Sequence, residues 1–100
     1  MSKNRALHVA VEAVNDSESF LAFVRELIAD RVDEVQKEKV NPSSPYGPGA
    51  NAWENGTIEA FLEAGVAWAE STNFGERQHP SAKNPWHKFA LFLYLGKIYE

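Results

Sequence analysis

Apolar side chains return at helical intervals in three stretches of this 100-residue chain, separated by segments rich in Pro, Gly, Ser and Asn. In the first stretch Phe20, Val24, Leu27, Ile28 and Val35 fall on one face, which predicts a helix over residues 15–38. Asn15, Asp16 or Ser17 can accept backbone N–H groups at its start, and Glu18 lies near the positive end of the helix dipole. Arg31 lands in the middle of the apolar face. Either the helix bends or ends at Asp30 and Arg31, or the guanidinium reaches the edge of the face and pairs with a carboxylate. Glu34, Gln36, Lys37, Glu38 and Lys39 read as a solvated, fraying tail.

The second stretch predicts a helix over residues 55–70, with Asn55 as its N-terminal cap and Ile58, Phe61, Leu62, Gly65, Trp68 and Ala69 as its apolar stripe. Gly65 costs about 1 kcal/mol against Ala inside a helix, so its place in the stripe points to a close approach by another element. Trp53, just ahead of the cap, can fold back over the first turn. The third helix, over residues 84–97, has Asn84 as cap and Pro85 at the first helical position. Trp86, Phe89, Ala90 and Leu93 share one face, while Leu91 and Leu95 lie on the other. This segment is either a central helix buried on two sides or the donor of a face to a partner; the Asn-Pro start favours helix over a buried strand across 89–95. Ile98 and Tyr99 pack back on the core, and Lys97 suits the negative end of the third helix.

Residues 1–14 form an extended or irregular lead-in in which Leu7, Val9 and Val11 alternate as in a short strand, while Val11 and Val14 also suit an amphipathic turn leading into the next helix. Residues 39–54 form a Pro/Gly loop in which Pro42, Pro45 and Pro48 fix φ and Gly47 and Gly49 admit positive φ. That loop either crosses the end of a helix pair or serves as a stiff binding loop. Residues 71–83 are a second loop. The fold class is therefore mainly α: a compact three-helix domain, with a short N-terminal extended segment as the open question.

Trp53-Glu54-Asn55-x-Thr57-Ile58-x-x-Phe61-Leu62-Glu63-Ala64-x-x-x-Trp68, Asn84-Pro85-Trp86 and the closing Lys97-Ile98-Tyr99-Glu100 together resemble a family of small bacterial domains without an established activity. The resemblance covers about residues 14–100. It implies a Phe-rich first helix, a variable loop, a W-E-N-x-T helix and a K-I-Y-E tail, with no catalytic residue or cofactor to carry over. Trp53, Asn55, Thr57, Phe61, Leu62, Trp68, Trp86, Ile98 and Tyr99 are the motif positions, read as mainly structural. In size and acidity such domains are similar to immunity proteins that neutralise toxins, an analogy of class alone.

Composition removes several chemistries. The chain has no Cys, so disulfides, thiolate nucleophiles and Cys metal sites are absent. Lys and Arg number 10 against 14 acids, a net charge of −4 with no basic cluster, which argues against nucleic acid. The apolar start is too short and interrupted for a secretory signal, and the longest apolar run is far below a membrane span. A cytoplasmic protein without membrane attachment is the expectation. His8, His79 and His87 share no metal-ligand spacing; His79 and His87 read as two surface residues, with a meeting in space for metal or acid/base work as the minor alternative, and neither a nucleophile elbow nor a phosphate loop is present. No cofactor or metal is expected.

Glu59, Glu63 and Glu70 line one flank of the second helix, with Glu54 just ahead of it. A solvated helix face explains them, and the functional alternative is an acidic stripe that docks a basic protein. The leading functional expectation is thus a protein-binding module, immunity-like in style. Two others stand beside it: a small enzyme or ligand-binding domain with an aromatic-lined site near Trp53, Trp68, Trp86 and His87, and a homodimer formed through Leu91, Phe92 and Leu95.

Overall fold

The computed structural model describes residues 7–47, 49–74 and 84–99, and these form four helices: α1 (Leu7–Glu12), α2 (Ser17–Val40), α3 (Ile58–Thr72) and α4 (Pro85–Ile98). The domain is mainly helical, with one helix more than the pattern predicts and no strand among the described residues. The lead-in is α1. Leu7, Ala10, Val11 and Val14 are buried at helical spacing, whereas Val9, the middle of the supposed strand alternation, is half exposed. The spacing of 7, 10, 11 and 14 is that of a helix with one apolar face, and a neighbouring helix is there to cover it.

Asp16 caps α2. Its carboxylate accepts the N–H of Ser19 at 2.8 Å, and the Ser19 hydroxyl accepts the N–H of Asp16 at 3.1 Å, a reciprocal arrangement that satisfies two otherwise orphaned donors. The helix passes Arg31 without a break and runs to Val40, beyond the predicted end at 38. Its core-facing stripe differs from the predicted one. Phe20, Phe23, Leu27, Asp30 and Glu34 face inward, while Ile28 and Val35 are 58% and 38% exposed. The inward stripe carries on from aromatic and aliphatic residues into two carboxylates, so a purely apolar reading turns away from it. Glu34, expected in a solvated tail, is 3% exposed.

α3 is capped by Thr57, whose hydroxyl accepts the N–H of Ala60, and not by Asn55. It ends at Asn73, in the left-handed region at φ 53°. Asn84 caps α4 through the N–H of His87, with Pro85 in the first turn as expected. α4 is the central helix: it packs on α1, α2 and α3.

The α3–α4 contact is reciprocal. A Cβ built on Gly65 would stand 2.8 Å from Cζ of Phe92, and one built on Gly96 would stand 2.8 Å from the carbonyl oxygen of Phe61. Each helix thus inserts a phenyl ring where the other has no side chain, which brings the backbones close enough to bury Trp68, Ala69, Ala90 and Leu91. The close approach predicted at Gly65 is present. α2 and α3 both rest on α4 but do not pack on each other. Among the described residues no helix is long and apolar enough to cross a membrane.

Candidate functional site

The gap between α2 and α3 is filled at one end by the Trp53 segment, and the interior charges Asp30, Glu34 and Lys97 converge there. Trp53 is 8% exposed. Its indole Nε1–H donates to Asp30 Oδ2 at 2.8 Å, and the same oxygen accepts from Lys97 Nζ at 2.7 Å. Glu34 Oε1 accepts the N–H groups of Asn51 at 2.9 Å and Trp53 at 3.3 Å, while its other oxygen pairs with Arg31 at 2.8 Å. Arg31 also donates to the carbonyl of Gly56 at 3.1 Å. The guanidinium of Arg31 and the ammonium of Lys97 lie 5.3 Å and 5.5 Å from the Trp53 ring centroid, and Phe61 stacks on that ring at 5.9 Å. The two acids on the inward stripe of α2 thereby hold the segment that joins the Pro/Gly loop to α3. Of the alternatives for Arg31, an unbroken helix with a paired guanidinium is the one found.

Asn55 belongs to the same corner. Its Nδ2 donates to the carbonyls of Gly96 and Tyr99, both at 2.9 Å, and Glu54 N–H donates to the carbonyl of Lys97 at 2.9 Å. These groups satisfy the free carbonyls at the end of α4, so Asn55 closes α4 where the local pattern made it open α3. Ile98 and Tyr99 are partly buried, and Tyr99 packs on the core with its hydroxyl 2.9 Å from that of Ser71. Lys97 does more than face a helix dipole: it is buried and ion-paired.

The Pro/Gly loop is anchored on α2 as well. Glu38 accepts the N–H and hydroxyl of Ser43 at 2.7 Å and 2.6 Å and the N–H of Ala50 at 2.8 Å. The hydrogen bonds from Ser43 hold its carboxyl below the ordinary value. The supposed tail of α2 is therefore the loop's foundation.

Between α2 and α3 lies an open groove of about 320 Å³ whose exposed lining is almost wholly apolar. Leu27, Trp53 and Phe61 form its floor, and Ile28 and Val32 of α2 face Ile58 of α3 across it. Ile28, Val32 and Ile58 are 58%, 55% and 78% exposed. Along α3 the exposed apolar residues continue as Ile58, Leu62 and Val66, four residues apart. Ile58 and Leu62, read as core from the pattern, are surface residues. Glu59, Glu63 and Glu70 are exposed on the flank beside this strip, and Glu54 is exposed just ahead of the helix.

The aromatic site expected near Trp53, Trp68, Trp86 and His87 is not assembled. Trp53 floors the groove, and Trp68 is fully buried against Phe74. Trp86 is partly exposed beside Phe20 and Phe89. His87, expected at the surface, is 2% exposed with Nε2 3.7 Å from Glu12 Oε1; His8 is exposed, and His79 lies outside the described residues. Leu91, Phe92 and Leu95, the candidate dimer face, are engaged in the chain's own core. Among the described residues no group of three or more metal-ligating side chains converges.

The groove offers apolar contact and little chemistry. Among the described residues its one charged group, the guanidinium of Arg31, is already held by Glu34 and Gly56. No curated protein and no solved structure matches the chain. Residues 16–100, from the cap of α2 through α4, match the model of a family of unknown function, DUF7660, and the chain belongs to that family.

Proposed function

We propose that this is a non-catalytic protein-binding domain whose contact surface is the outer face of α3 together with the groove beside Trp53. The partner presents an apolar anchor to the groove and basic side chains to the glutamates. One observation carries the reading: Ile58, Leu62 and Val66 are exposed in a line, and Glu59, Glu63 and Glu70 flank that line on a helix with no basic residue. An apolar strip with a charged margin is the pattern of helix and groove recognition, where burial supplies affinity and charge supplies register and rate. Isolated exposed apolar residues need no explanation, but a contiguous set around a preformed groove does. A small acidic bacterial domain that masks a basic toxin in the manner of an immunity protein fits this chemistry, and a toxin-like reading frame beside the gene would support it.

The test is site-specific photo-crosslinking in the native host, with a photoreactive phenylalanine derivative in place of Leu62 and, as control, in place of Ala13 on the α1 side. The expected result is a discrete adduct from position 62 alone, which weakens when Glu59, Glu63 and Glu70 are reversed to Lys. Equal labelling from both positions, or an adduct indifferent to the charge reversal, rules the surface out.

A further inference from the structure

We infer that the partner that fits this face is a second copy of the chain, with α2 of each protomer seated on α3 of the other. This rests on the preceding reading of the α3 face as a docking surface for a partner with an apolar anchor and basic side chains, and names the element that supplies them. α2 carries Leu21, Ile28 and Val35 at seven-residue spacing, with Val32 between them, and all four are exposed. Arg25 and Lys39 are the exposed cations on the same side of the helix, against one exposed acid there, Glu18 in the first turn. The strip on α3, Ile58, Leu62 and Val66, is bordered by acids only. Two complementary helix faces, one apolar and basic, the other apolar and acidic, thus flank one groove, and within the monomer they do not meet.

Symmetry supplies the missing contact. A two-fold axis laid along the groove carries α2 of one copy over α3 of the other, and by the same operation α3 over α2, so two equivalent contacts cover both strips of both copies. The basic margin meets the acidic one in this arrangement: Arg25 and Lys39 lie along the flank of Glu59, Glu63 and Glu70 of the second copy. Side by side in any parallel-face arrangement, the acidic margins would repel instead. α3 has 15 residues and spans about 22 Å, so two such contacts about 10 Å wide cover roughly 450 Å² of each protomer. That lies at the low end for specific interfaces and sets the expectation of a weak, concentration-dependent dimer.

The experiment is sedimentation velocity on the full chain from about 10 μM to about 1 mM, a range chosen for an interface of this size. Two charge-reversed variants accompany the wild type, Glu59→Lys/Glu63→Lys and Arg25→Glu/Lys39→Glu, each checked for unchanged far-UV circular dichroism. The wild type is expected to shift from one chain toward two. Each variant alone should weaken association at least tenfold. An equimolar mixture of the two variants should recover it, because each basic α2 then meets an acidic α3 and each acidic α2 a basic α3. A dimer that neither variant weakens, or a mixture with no recovery, overturns the pairing. A wild type that stays a single chain throughout also overturns it, yet leaves the preceding reading intact if position 62 still labels another protein. A dimer with recovery in the mixture, but no foreign adduct at position 62, confirms the second copy and removes the foreign basic partner.

Discussion

Lys97, in the last turn of α4, places its ammonium 2.7 Å from the carboxylate of Asp30 in the middle of α2. Both side chains are largely removed from solvent, with 8% and 15% of their surface exposed. The same Asp30 oxygen holds the indole of Trp53, so one carboxylate ties together two helices and the connection between them. Pairs of this kind are costly to break and often not costly to replace, because the penalty falls on the charge left behind.

That asymmetry gives the first prediction. Asp30→Ala strands a buried ammonium and an indole N–H, and should cost about 2–4 kcal/mol. Lys97→Met leaves the Asp30 carboxylate without its cation but still with the indole and some solvent, and should cost less, about 1–3 kcal/mol. The double variant Asp30→Leu/Lys97→Met should regain most of the loss. Urea unfolding with constant slope measures all three; a double variant no better than Asp30→Ala would show that the hydrogen bond to Trp53 matters more than the ion pair.

The second prediction concerns Asn55. As the cap of α3, its replacement by Asp would be neutral, since Asp is as good a cap as Asn. As a donor to the carbonyls of Gly96 and Tyr99, it is replaced by a group that can only accept. Asn55→Asp should therefore be worse than Asn55→Ala, with the Ala variant down by about 1–2 kcal/mol. The order of the two unfolding midpoints decides between the roles without reference to their size.

How much of this was legible beforehand follows the range of the interactions. α2, α3 and α4 announce themselves through local signals: periodic apolar residues, Asp16 ahead of a run, and Asn84-Pro85. α1 is harder, because six residues whose Leu7, Val9 and Val11 alternate fit strand and helix alike, and only the partner for Ala10 and Val11 settles it. The polar corner is nearly invisible. Asn55 acts across 41 and 44 positions, and Asp30 and Glu34 look like surface acids until the stripe of Phe20, Phe23 and Leu27 is continued into them. Arg31, awkward in the middle of an apolar face, was the available clue that carboxylates sat nearby. The exposed strip of Ile58 and Leu62 misled in the opposite sense: periodicity identifies an apolar face but not whether the monomer covers it.

The third prediction is one of pH. Glu38 has a carboxyl held below its ordinary value of 4.5, first by the hydroxyl and then by the N–H of Ser43. A lowered folded-state value means the contribution is complete above the ordinary value and is lost as pH falls through the folded one. Ser43→Ala should raise the Glu38 titration toward 4.5 and speed hydrogen exchange at the Ala50 amide, which shares the same carboxylate. Carboxyl-carbon NMR reads the first and amide exchange the second. An unmoved titration would assign the effect to the Ser43 and Ala50 N–H groups alone.

The last prediction separates two glycines that look alike in sequence. Ala at either position would gain about 1 kcal/mol of helix propensity in isolation. At Gly65 the new methyl meets the far edge of the Phe92 ring, 2.8 Å away, and that ring can tilt at some cost to its stacking on Phe74. At Gly96 it meets the Phe61 carbonyl, also at 2.8 Å, and hydrogen-bonded helix backbone cannot give way without separating α3 from α4. Gly96→Ala should therefore destabilise by about 2–3 kcal/mol, and Gly65→Ala by about 1 kcal/mol or less. Phe92→Leu should rescue Gly65→Ala by removing the ring edge, whereas Phe61→Leu should fail to rescue Gly96→Ala, because the obstructing atom belongs to the main chain. Thermal unfolding of the four variants tests both halves of the argument, and equal losses at the two glycines would mean that the helices separate as one rigid contact and not ring by ring.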